Sequence, residues 1–171
     1  MLEWYKNYYN KEGTCVHKYS VHFEIINNLR STSEGWLVPN SYDFWKPLVL
    51  RYIKYSDTLR IDCWNNDEYA INRILPYAKK IDRESNPNMT SVWLDIHFDV
   101  IDDIINNPFD NEQKIAWFSL FLETDEKCFF SSEHYGKEFS VLEVNKEEVE
   151  FLRTFITTDF CFHTWDSSDI S

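Results

Sequence analysis

Hydrophobic positions along the chain fall into short runs of two different periods, and the sharpest of them begin near Leu48. Leu48–Tyr55 and Thr58–Trp64 are rich in β-branched and aromatic residues, which favours strands, and Ser56-Asp57 between them suits a hairpin. A helix is expected next. Asn66 or Asp67 can cap it, and Ile71, Ile74, Leu75, Ala78 and Ile81 share one helical face. Pro76 lies inside that pattern and should kink or shorten the helix. Ser91–Val100 then alternates: Leu94, Ile96, Phe98 and Val100 on one face, Trp93, Asp95, His97 and Asp99 on the other, the pattern of a half-buried strand.

Asp110–Leu122 suits a capped helix with Ile115, Phe118 and Leu122 inward, although Ile115–Leu122 also reads as a strand. Phe139–Val144 is strand-like. Asn145 has Glu148 three residues on, the form of a capping box, and opens a helix through Val149, Leu152 and Phe155. Before Leu48 the pattern is weaker, and Tyr19–Leu29 fits a strand or a short helix; beyond Asp159 the tail is aromatic, then polar. Strands interspersed with helices without strict alternation predict an α+β fold, with a mainly antiparallel sheet and packed helices. No repeat, low-complexity tract or Ser/Gly linker interrupts the 171 residues, so a single compact domain over 1–171 is expected.

Composition changes this picture in three places. Aromatic residues make up 18% of the chain, so the core should be built from rings more than from Leu and Val. Only 3 glycines are present, which argues against a glycine-rich phosphate loop. Cys15, Cys63, Cys128 and Cys161 are scattered among apolar neighbours, as buried reduced thiols of a cytoplasmic protein would be. The segment Met1–Tyr9 lacks the basic and apolar regions of a signal peptide, and no run is long enough for a membrane helix.

Candidate chemistry is sparse. Asp95, His97 and Asp99, on one face of a strand, have the side chains of a metal-assisted hydrolase, but three positions spaced along one strand rarely converge on one ion. An exposed polar strand face accounts for them as well. Cys128 or Cys161 with His134 or His163 would permit a Cys/His pair, and no sequence context activates either thiol. No metal and no cofactor is therefore expected.

Charge is more informative. Residues 1–81 hold 11 basic and 9 acidic side chains, whereas residues 82–171 hold 6 and 20, for a net charge of −12 over the chain. Such a surface repels nucleic acid and anionic membranes and attracts basic proteins. The acidic residues Asp95, Asp99, Asp102, Asp103, Glu123, Asp125 and Glu126, beside Trp93 and Trp117, form the expected partner-binding set: carboxylates steer and aromatics anchor. In size, acidity and Trp- and Tyr-rich make-up the chain resembles the immunity proteins of bacterial toxin–immunity systems, including those of contact-dependent growth inhibition. The resemblance implies a non-enzymatic cytoplasmic antitoxin that binds a basic nuclease toxin domain one-to-one and covers its active site, with an RNase the favoured target. A non-enzymatic adaptor for another basic protein shares the same charge logic.

Overall fold

The computed structural model describes residues 18–125 and 127–166; Cys15 and Glu126 lie outside them. Ten strands are present: β1 (Tyr19–Ile25), β2 (Leu29–Ser31), β3 (Leu37–Pro39), β4 (Thr58–Trp64), β5 (Ala78–Asp82), β6 (Met89–Asp95), β7 (Ser119–Thr124), β8 (Lys127–Glu133), β9 (Glu138–Val144) and β10 (Phe160–Asp166). Four helices accompany them: α1 (Trp45–Ile53), α2 (Glu68–Ile74), α3 (Phe98–Val100) and α4 (Lys146–Arg153). Eight strands form one antiparallel sheet in the order β10-β1-β9-β8-β7-β4-β6-β5, and β2 pairs with β3 as a separate hairpin. The fold is α+β, as expected.

Period two sorts each strand between the faces of the sheet. Val21, Phe23, Leu59, Ile61, Val92, Leu94, Leu120, Leu122, Phe130, Phe139 and Val141 all point to one face and are buried. That face receives the helices: Tyr52 of α1 stacks on Phe130 at 4.9 Å, Phe44 meets Phe139 edge-on at 5.7 Å, and Val149 and Leu152 of α4 join the same core. The opposite face carries a cross-strand row of mostly polar side chains, Lys80, Trp93, Arg60, Phe121, Ser131, Ser140, His22 and His163, in register from β5 to β10.

The first expected strand is a helix. Within α1 the buried residues are Trp45, Leu48, Val49, Tyr52 and Ile53, a 3.6-residue stripe that outweighs the strand preference of the individual side chains. Pro47 sits in its first turn, where the missing N–H costs no helical hydrogen bond. Ser56-Asp57 accordingly links a helix to β4 and is not a hairpin. The next helix does start at Asp67, whose carboxylate accepts from Ala70 N at 3.0 Å. It ends at Ile74, and a 3₁₀ turn containing Pro76 leads into β5, so Ala78 and Ile81 are strand residues.

β6 stops at Asp95, five residues short of the expected Val100. Val100, Ile104 and Ile105 are buried from helical backbone, α3 running into a π-helical segment Ile101–Asn106; their spacing competes with the alternation and wins after His97. No helix covers Asp110–Leu122. Asp110 instead closes a turn, accepting from the N–H groups of Glu112 and Lys114, and the strand alternative holds at Ser119–Thr124. Phe139–Val144 lies in β9, and Asn145 caps α4 by accepting from Glu148 N at 2.9 Å. Glu148 completes no capping box: its carboxylate turns to α1.

Candidate functional site

The N-terminal end of β4 meets the C-terminal ends of β6 and β7, because β4 lies between them and runs antiparallel to both. Asp57 ties the three together. Its N–H donates to Glu123 O, its carbonyl accepts from Ile96 N, and its carboxylate accepts from Asp125 N at 3.3 Å. This end of the sheet collects Asp57, Asp95 and Asp125, and the segment leaving β6 adds Asp99, Asp102 and Asp103, all exposed. Counter-charge there is slight. Lys79 pairs with Asp95 at 2.6 Å, with both side chains about 60% exposed, so water screens most of the attraction. Among the described residues, Asp99, Asp102 and Asp103 form no ion pair.

The field of these carboxylates is felt by their neighbours. Tyr77 donates its hydroxyl to Asp103, and that bond, reinforced by the charges of Asp103, Asp99 and Asp102, holds the phenol above its usual value. Asp95 likewise raises Lys79, with Asp57 adding to it. Arg73 fixes the acidic segment from outside by donating to the carbonyls of Asp103 at 2.8 Å and Phe109 at 3.3 Å. In the middle of this segment Phe98 is 79% exposed, more than any other large apolar side chain among the described residues. Strand alternation assigns Phe98 to the core, so the sequence pattern hides the most accessible aromatic ring of the acidic end.

The other expected partner-binding residues are elsewhere. Trp117 is 1% exposed and belongs to the core, where the Arg73 guanidinium lies 5.0 Å from its ring centre. Glu123 is also buried, on the sheet face away from the helices, 3.6 Å from Arg60. Burial raises its carboxyl above the ordinary range and Arg60 opposes the shift; Asp62, 3.6 Å from the same guanidinium, is raised by burial in the same way. Trp93 is half-buried on that face, 5.8 Å from Arg60 and 4.3 Å from Lys80. Arg60 is thus enclosed by two carboxylates and the rings of Trp93 and Phe121, the latter at 3.9 Å.

Asp95, His97 and Asp99 do not share a face. The strand ends at the first, His97 is extended with its ring edge-on to Tyr77, and Asp99 opens a helical turn. Among the described residues no three His, Cys, Asp or Glu side chains are grouped as a metal site would require. Cys161 and His163 are adjacent on the outer face of β10, sulfur to Nε2 at 3.1 Å. Cys63, Cys128 and Cys161 are free thiols, the first buried and the others half-buried; burial raises the first two, Cys128 to about 11. No described helix is long and apolar enough to cross a membrane. No protein-family model, curated protein or solved structure matches the chain.

Proposed function

We propose that this is a non-enzymatic immunity protein that binds a basic nuclease toxin domain one-to-one, and that the acidic end of the sheet is its docking surface. The observation that carries the reading is Phe98, 79% exposed on a segment that also bears Asp95, Asp99, Asp102 and Asp103. An exposed ring set among carboxylates is the kind of side chain that supplies hot-spot energy when a partner covers it. The carboxylates around it accelerate encounter with a basic cleft and disfavour acidic competitors. A nuclease offers such a cleft because it must hold phosphate. Among nucleases, an RNase is the target this reading favours.

The test is coexpression with the product of the adjacent gene. Growth rescue and a one-to-one complex are expected. Phe98→Ser should abolish rescue through faster dissociation. Replacing Asp95, Asp99, Asp102 and Asp103 by Asn should slow association, most at low salt. A neighbour that encodes no toxin, or binding indifferent to both salt and these substitutions, overturns the proposal.

A further inference from the structure

The opposite end of β4 forms a different site. From Thr58 to Trp64 the strand runs about 20 Å at its ~3.3 Å rise, and there it meets the β2–β3 hairpin, the start of α2, the turn at Asp110–Lys114 and the β8–β9 turn. These elements border an open cavity of about 420 Å³, within the range of small-ligand sites. Part of its wall is aromatic. Trp36 and Trp64 stack at 5.9 Å, Trp36 meets Tyr135 at 5.6 Å, and Phe118 braces Trp64 and Tyr135 from behind at 4.9 and 5.4 Å.

The polar part of the lining has one sign in excess. Lys114 is 5% exposed, but its charge is already met: Asp110 accepts from it at 2.6 Å, and its ammonium sits 4.3 Å from the Tyr135 ring centre. Three further carboxylates line the cavity without an ion pair among the described residues. Glu34 accepts from Trp36 Nε1 at 3.2 Å, Asp67 caps α2 through one oxygen, and Glu112 accepts from Ser33. A pocket with indole and phenol walls and surplus carboxylates favours a cation with a flat, weakly hydrated head, because such a head stacks on rings and donates to carboxylates in the same plane. An ammonium is bound less well there, being compact and strongly hydrated.

We propose that this cavity is a receptor for a guanidinium group of the kind carried by an arginine side chain. Free arginine carries the same net charge as the residue, because its α-ammonium offsets its α-carboxylate, so the guanidinium is the recognised group and blocked forms of the amino acid isolate it. The proposal goes beyond the reading of the acidic end and stands without it.

The test uses the whole protein, nitrogen-15 labelled, at constant ionic strength. The indole N–H signals of Trp36 and Trp64 are followed while N-acetyl-arginine-N-methylamide is added. A saturable shift is expected, weaker with the lysine analogue and absent with the isosteric neutral citrulline analogue. Asp67→Asn, which keeps the helix cap, and Glu34→Gln, which keeps an acceptor for Trp36, should each weaken binding about two- to fivefold. Trp36→Leu should weaken it at least about threefold with the remaining spectrum unchanged. No saturable shift, or equal responses to arginine and citrulline analogues, overturns the proposal. So does binding of agmatine without binding of the blocked arginine, which would make the cavity a small-amine site. None of these outcomes bears on toxin binding.

Discussion

Replacing Glu148 tests how helices α1 and α4 are held together over the sheet. The Glu148 carboxylate accepts from Arg51 Nε, Arg51 Nη2 and the Tyr52 hydroxyl, each at 2.6 Å. Burial alone would raise this carboxyl, but the Arg51 and Tyr52 hydrogen bonds outweigh it and hold the group below its usual 4.5. In Glu148→Ala the buried Tyr52 hydroxyl is left without its acceptor, at a cost of about 1–3 kcal/mol. Arg51 loses a bidentate partner, but a third of its side chain is exposed and it lies 3.5 Å from the Phe151 ring centre, so water and the ring recover most of that loss. The sum is about 1–4 kcal/mol, or roughly 2–16 °C in Tm for a domain of this size. Glu148→Gln keeps one acceptor and should cost about half as much. Because the folded pKa is depressed, this stabilisation is present above pH 4.5 and is lost as the pH falls through the lower folded value. Asp62 and Glu123 are shifted the other way, so the unfolding free energy of the wild type alone mixes opposing trends. The difference between wild type and Glu148→Gln isolates one carboxylate. Urea unfolding at pH 7 and in steps down to pH 3 should show that gap closing below about pH 4.5. A loss under about 0.5 kcal/mol at pH 7, or a gap that does not change with pH, refutes the account.

Gly136 is left-handed at φ +76°, and a Cβ there would lie 3.1 Å from Ile115, Trp45 and Tyr42; Gly136→Ala should cost about 1–3 kcal/mol by urea unfolding. Thiol labelling of the native protein should reach Cys161 well before Cys63, because Cys161 is half-buried beside His163 while Cys63 is 1% exposed; equal rates would mean that the core opens readily. Trp117→Phe removes an indole N–H that is buried without a partner and leaves a smaller ring, so the two effects oppose and the loss should stay below about 2 kcal/mol.

The fold class was legible because β1, β4, β6 and β9 each bury one face of the large sheet, β4 in strict alternation. At α1 residue type and residue spacing point to different elements. Val49, Tyr52 and Ile53 are β-formers individually, yet with Trp45 and Leu48 they repeat as a helix, and the packing of Tyr52 on Phe130 decides between the two. At β6 the reverse holds: a true alternation runs on past Asp95 into residues whose next apolar partners, Ile104 and Ile105, belong to a helical segment. The acidic segment was legible as charge. Phe98 was not, since nothing local marks where a strand yields to a helical turn. The aromatic cavity draws residues from five places between Ser33 and Tyr135, and such long-range convergence leaves no periodic signal.

Strand β1 has a consequence for synthesis. Both of its neighbours come from the far end of the chain: Phe23 faces Phe139 on one side and Phe162 on the other. While the ribosome is still adding those segments, Val21, Phe23 and Ile25 have no sheet to join, and closing so long a loop carries an entropic cost that only late contacts repay. The β4–β6–β5 part of the sheet can assemble earlier from residues 58–95. A nascent chain stalled before Glu138 therefore displays an apolar strand, and it is in that interval that the protein is most exposed to aggregation and to chaperone capture.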